Sequence, residues 1–218
     1  KMITTKSRGV GINRNIALLA ATKDILLFAD DDMVFRDDLE EKIIQAFEHF
    51  PKADVICFGT EFSKDGKIYF SRLPKRKKLP LIKSMKYGTY AIAAKRKSLL
   101  KANIMFTQLF GGGCPYLHGE DSDFILQCYR KKLKVYSYDY ILGCTAKDET
   151  TCNFGYNEKF FFDTGALARN SFGVMAIPYM LYMAMRIQKE CDLSFFCKIK
   201  NLFNGYRNFC FLGEYKNK

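Results

Sequence analysis

Lys23 to Phe35 reads K-D-I-L-L-F-A-D-D-D-M-V-F, and the fold is decided by how this stretch is read. Ile25, Leu26, Leu27, Phe28 and Ala29 form a continuous apolar run too short for a helix. Such a run has the pattern of a strand buried on both faces inside a parallel sheet. It ends abruptly in Asp30, Asp31 and Asp32. Adjacent carboxylates repel one another, and burial would raise that cost. The C-terminal edge of a strand relieves it, because water or a cation can reach the acids there, and ligands of open α/β sheets bind at that edge. Strand alternation would aim Asp30 and Asp32 to one side and Asp31 to the other. Two convergent carboxylates beside a crevice suit Mg²⁺ or Mn²⁺ carrying a phosphate-bearing substrate. The alternative is a solvated acidic turn leading into the next helix.

Upstream, K-S-R-G-V-G-I-N-R-N-I-A-L-L-A-A-T from Lys6 to Thr22 predicts a glycine loop opening a helix that runs to about Ala21. Arg14 falls in its first turn, where a cation opposes the helix dipole unless an anion meets it. Downstream, Asp37 or Asp38 is expected to cap a helix, with Asp37 and Glu40 as a capping box and Leu39, Ile43, Phe47 and Phe50 as its apolar stripe. Ala53 to Gly59 reads as a second buried strand. Phe62 to Phe70 reads as a hairpin turning at Asp65-Gly66. The chain then passes as irregular, basic sequence through Pro74 and Pro80 to a strand-like Tyr87–Ala94 and a short helix at Lys97–Ala102.

A second informative stretch is F-G-G-G-C-P from Phe110 to Pro115, followed by H-G-E-D-S-D from His118 to Asp123 and then a helix. Glu120, Asp121 and Asp123 would oppose the dipole of that helix. A glycine loop leading into adjacent acids also presents a carboxylate to a cleft, where it can act as general base toward a hydroxyl. Val135 to Ile141 returns as a strand.

The chain has 218 residues, 48% hydrophobic and 27% charged, which is globular composition. Its eight cysteines show no C-x-x-C and no paired spacing, so reduced thiols are expected rather than a disulfide framework or a zinc site. The net charge is +12, and no acidic residue occurs between Asp65 and Glu120. Twelve lysines and arginines lie in that interval, which alone accounts for the excess. A field so segregated attracts an anionic surface or polyanion. A nucleic-acid partner is not expected, since none of the RRM, KH, helix-turn-helix or zinc-finger signatures occurs.

The order of these motifs, G-x-x-R-N, apolar strand, A-D-D-D, then F-G-G-G and G-E-D-x-D-F, resembles the family 2 glycosyltransferases, which are inverting, use nucleotide sugars and have the GT-A fold. The resemblance covers Ser7 to about Tyr138, with a weaker continuation through Asn153 to Tyr156 and Asp163 to Ala166. It implies an α/β fold with a nucleotide-sugar-binding sheet flanked by helices. It also implies that this chain is N-terminally incomplete, by two βα units of roughly 60–90 residues. Asp32 with Asp30 would hold a divalent cation, Mg²⁺ or Mn²⁺. Asp31 would face the nucleoside, and Arg14 would lie near the nucleotide. Asp121 would be the base and Glu120 would orient the acceptor or the loop. The donor expected is a UDP-sugar, and the acceptor a saccharide, lipid-linked in cell-surface polysaccharide synthesis. The group moved would be a hexosyl or N-acetylhexosaminyl unit. The alternative is a non-catalytic fragment of the same fold that binds membrane or polyanion. A histidine metal ligand of related enzymes has no counterpart after the acidic pair, leaving Asp148 or Glu149 as candidate third ligands.

The division expected is 1–165 for the partial transferase domain and 166–218 for a helical, apolar C-terminal tail. Phe172 to Ile187 is almost wholly apolar but shorter than a spanning helix and contains Pro178. It reads either as a helix closing over the core or as an interfacial segment on an anionic bilayer. With the basic interval, the second reading implies a cytoplasmic protein, peripheral on the inner face of the cell membrane.

Overall fold

The computed structural model describes residues 2–64, 67–70, 74–145, 155–187 and 191–209. In chain order the elements are α1 (Val10–Ala20), β1 (Ile25–Leu27), β2 (Met33–Phe35), α2 (Leu39–His49), β3 (Val55–Lys64), β4 (Lys67–Phe70), β5 (Lys77–Lys78), α3 (Leu81–Ser84), β6 (Ile92–Lys95), α4 (Arg96–Lys101), α5 (Glu120–Arg130), β7 (Val135–Thr145), α6 (Glu158–Ser171), α7 (Ala176–Arg186) and α8 (Phe195–Arg207). They form two compact units. One comprises Arg14–Met105 with Phe124–Thr150; the other comprises Lys1–Asn13, Phe106–Asp123 and Thr151–Lys218.

The first unit holds the sheet, in the order β1-β6-β3-β7-β2, with β4 added to β3 and β5 to β7. β3 and β7 run parallel. β6 lies antiparallel to both β1 and β3, and β2 antiparallel to β7. The sheet is therefore mixed, and this corrects one expectation. β1 does not lie buried on both faces inside a parallel sheet; it ends the described order, and its three residues are half-buried. The apolar run reported burial but carries no information on the direction of its partner strand. Full burial falls instead on Val55, Ile56, Cys57 and Phe58 of β3 and on Ile92, Ala93 and Ala94 of β6.

On one face Ile43, Ala46 and Phe47 of α2 pack against Ile56, Phe58, Ala93 and Leu142. Each large side chain so buried contributes about 1.5–3 kcal/mol. The stripe of α2 is thus the one its spacing predicts. The capping is different. Asp38 is the N-cap residue and makes no side-chain cap bond; its Oδ1 instead accepts from the Tyr140 hydroxyl at 2.5 Å. Desolvation and this carboxylate together push the Tyr140 phenol up. The hairpin pairs in the expected register, Glu61 with Phe70 through Lys64 with Lys67, while Asp65 and Gly66 lie outside the described residues. Cys57 and Cys128 are buried and unbridged, and burial pushes the Cys128 thiol up to about 12.

The second unit is helical. Phe161, Ala168, Met180, Met183 and Leu202 form its main core cluster. α6 and α8 touch backbone to backbone at two glycines. A β-carbon on Gly165 would stand 1.9 Å from the Leu202 carbonyl oxygen, and one on Gly205 would stand 1.8 Å from that of Phe162. Asn157 caps α6 by accepting from the Phe160 amide, and Ser194 caps α8 by accepting from that of Cys197. The boundary expected at residue 165 falls inside α6. The apolar segment forms α7, whose Ala176, Met180, Met183 and Ala184 are buried while Ile177, Leu181 and Met185 face outward. Among the described residues no helix is long and apolar enough to cross a membrane.

Candidate active site

The residues singled out in the sequence fall into two groups, one in each unit. The first is the acidic edge of the sheet unit. β1 ends at Leu27, Phe28 is buried and bonds through its amide to the Ile92 carbonyl, and Asp31 and Asp32 form a turn into β2. Strand alternation therefore stops before the aspartates, and the two-sided arrangement expected for Asp30, Asp31 and Asp32 gives way to a turn. Asp31 is exposed; Asp30 and Asp32 are half-buried. Arg14 lies one turn deeper in α1 than its sequence suggested, since α1 begins at Val10. Its Nη2 stands 2.9 Å from Asp30 Oδ1. The anionic partner that this cation required is thus Asp30.

The second group is the glycine loop and the start of α5. The Val10 amide donates to the Gly112 carbonyl at 3.0 Å, which docks the loop on the first turn of α1. The two glycine segments of the sequence are therefore neighbours: a β-carbon on Gly113 would stand 3.2 Å from the Gly9 Cα. Gly111, at φ +101, is in a conformation that L side chains avoid, and a β-carbon there would lie 2.9 Å from the Glu120 carboxyl carbon. Glycine at 111 thus makes room for the Glu120 carboxylate.

Of the three acids that open α5, Asp123 is buried and accepts from Ser171 Oγ at 2.7 Å, which gives it a packing role. Asp121 is half-buried in the first turn. The loop before α5 is tied to α6 through two further side chains. Asp163, fully buried, accepts from the Leu117 amide at 2.9 Å and from Lys159. His118 Nε2 donates to the Phe160 carbonyl at 3.0 Å, and its ring stacks on that of Phe160. Burial holds the His118 imidazolium below its ordinary range. The sequence marked Asp163 only as part of a weak motif and did not foretell these ties. The signal available was Asn157, a good N-cap residue three positions before an aromatic run.

Among the described residues no three of His, Cys, Asp and Glu converge as a ready-made cation site. Asp148 and Glu149 lie outside those residues. A Mg²⁺ ion that completes its shell with water and substrate phosphates needs only one or two carboxylates. Asp32 and Asp30 fit that requirement.

Residues 1–105 match the family described as glycosyl transferase family 2. Among solved structures, that of S. aureus TarS 1–349 in complex with UDP-GlcNAc matches with a TM-score of 0.59 at 17% identity, over 94% of this chain and 54% of that one. The same TarS fragment in complex with UDP matches with a TM-score of 0.53 at 16% identity, over 96% of this chain and 57% of that one. The chain therefore spans about half the length of these structures, and the likeness is one of fold. Among curated proteins none matches. Residues 1–105 are thus similar in sequence to glycosyl transferase family 2, and the chain is similar in fold to the TarS structures.

Proposed function

We propose that the chain is part of an inverting glycosyltransferase that moves a sugar from a nucleotide-sugar donor to a hydroxyl of a saccharide acceptor. The acceptor is lipid-linked, and the product belongs to cell-surface polysaccharide. The observation that carries the reading is the stretch matched to the family, which contains Arg14 paired with Asp30 and the acidic turn through Asp32. The donor is a UDP-sugar, a reading supported by the UDP and UDP-GlcNAc bound in the TarS structures. Asp32, with Asp30, would hold a Mg²⁺ or Mn²⁺ ion, and Asp31 would face the nucleoside. When bound, the cation offsets the charge of the departing nucleoside diphosphate. Arg14 fixes Asp30 and adds positive charge near the same phosphates.

Asp121 takes the proton of the acceptor hydroxyl, strengthening the oxygen that attacks the anomeric carbon. Glu120, seated against Gly111, sets the orientation of the loop and acceptor. One base acting opposite the leaving group gives inversion. Asp121→Asn removes the proton acceptor while keeping size and shape, so transfer should be lost with donor binding intact. Retention of most turnover in that variant would move the base elsewhere.

The same reading puts the protein on the cytoplasmic face of the membrane. Val174 and Phe196 are 95% and 84% exposed, and Ile177, Leu181 and Met185 of α7 also face outward, so the helical unit offers exposed apolar side chains to a membrane. Replacing Ile177, Leu181 and Met185 with Ser should reduce sedimentation with vesicles. Unchanged sedimentation would remove the membrane from the proposal.

A further inference from the structure

A cavity of about 480 Å³ opens in the sheet unit, lined by Lys75, Lys77, Lys83, Lys86, Tyr87 and Ser137 among others, and, among the described residues, by no acidic one. Its volume is that of a small-molecule site. None of Arg14, Asp30, Asp31 or Asp32 lines it. The basic interval was expected to be irregular chain, yet here it forms β5 and α3 and is fixed from behind. Ser137 Oγ donates to the Lys75 carbonyl at 2.6 Å, and the Leu79 amide donates to the Val135 carbonyl at 2.9 Å. The Tyr129 hydroxyl donates to the Leu79 carbonyl at 2.5 Å and lies 2.8 Å from Ser84 Oγ. The wall that carries the lysines is therefore built in advance of any ligand.

Lys75 and Lys77 line the cavity, whereas Arg76 and Lys78 do not. Arg76 pairs with Asp139 of β7, and its guanidinium lies 4.5 Å from the centre of the Tyr138 ring. The carboxylate nearest along β7 to Ser137 is thereby engaged by Arg76. Among the described residues none of Lys75, Lys77, Lys83 and Lys86 forms an ion pair. Four like charges around one concavity repel one another unless an anion enters. Desolvation pushes the Tyr87 phenol up to about 12, so it stays a neutral hydrogen-bonding group at the cavity wall.

We propose that this cavity is a binding site for a phosphate ester, with Lys75, Lys77, Lys83 and Lys86 around the phosphate and Tyr87 and Ser137 toward a hydroxyl-bearing skeleton. Compact ammonium groups suit phosphate as point charges. Phosphate esters of this kind occur free and as lipid headgroups, and the shared chemistry is the phosphate. The site goes beyond the transferase reading, because binding is measured with no donor and no transfer.

The test is calorimetry on the full chain at low ionic strength with glucose 6-phosphate, inorganic phosphate and glucose as probes. Both phosphates should bind saturably and glucose should not. The double variant Lys77→Gln/Lys83→Gln should weaken glucose 6-phosphate by about tenfold or more, whereas Lys77→Arg/Lys83→Arg should retain it. Lys131→Gln/Lys132→Gln, outside the cavity, should leave it unchanged. Competition by phosphatidylglycerol vesicles but not phosphatidylcholine vesicles would assign the phosphate to a lipid headgroup; lack of competition would assign it to a soluble ester. Absence of saturable phosphate binding would overturn the proposal. So would equal losses in the two glutamine pairs.

Discussion

The Glu120 carboxyl carbon lies 2.9 Å from the point where a β-carbon on Gly111 would stand, and its Oε2 lies 3.1 Å from that point. The glycine loop and the first acid of α5 thus form one packed unit. Gly111→Ala would meet both an unfavourable φ and this carboxylate. It should lower stability by about 1–3 kcal/mol and displace Glu120, reducing transfer. Gly112 is the internal control: a β-carbon there meets nothing within 4 Å, so Gly112→Ala should stay within about 0.5 kcal/mol. Denaturant unfolding of the two variants separates them, and equal stability would contradict the packing argument.

Arg14 and Asp30 should be coupled. The Arg14 side chain is 12% exposed and that of Asp30 is 40% exposed, so water and salt screen part of the interaction. A double-mutant cycle with Arg14→Ala and Asp30→Asn should give about 0.5–1 kcal/mol at low salt and less at high salt. A coupling of zero at low salt would mean that the pair does not fix the acidic turn.

His118 gives stability a pH dependence of defined sign. Its folded pKa lies below the unfolded value of about 6.5 because burial disfavours the imidazolium. The unfolded chain therefore binds the extra proton first as pH falls. The contribution of His118 is complete above about pH 6.5 and is lost progressively below it, down to the folded pKa. The urea midpoint should fall between about pH 7.5 and pH 5.5. His118→Gln should be less stable, through loss of stacking on Phe160, but flatter over that range. A variant with the wild-type slope would place the titration elsewhere.

Much of the fold was legible because it rests on local periodicity. The stripe of α2, the β3–β4 hairpin, the helix opening at Glu120 and the return strand β7 all follow from spacing and turn residues. What escaped depends on distant partners. The antiparallel pairing of Ile25–Leu27 with β6 depends on residues some seventy positions away, and the bond from Tyr140 to Asp38 spans 102 positions. The helices α6 and α8 meet through Gly165 and Gly205, a contact that no amphipathic pattern announces. At the site, residue types were legible and their partners were not: Arg14 called for an anion, but only the fold supplies Asp30. The lysine excess was visible in composition. Its gathering around a cavity required the anchoring by Ser137 and Tyr129.

The role proposed for the acidic turn is to hold a nucleotide donor through a divalent cation. Calorimetry of UDP with the protein, with and without Mn²⁺, measures this. UDP binding should depend on Mn²⁺, and Asp32→Ala should weaken it by about tenfold or more while leaving the unfolding midpoint unchanged. UDP binding of equal strength in Asp32→Ala, or binding indifferent to Mn²⁺, would contradict it.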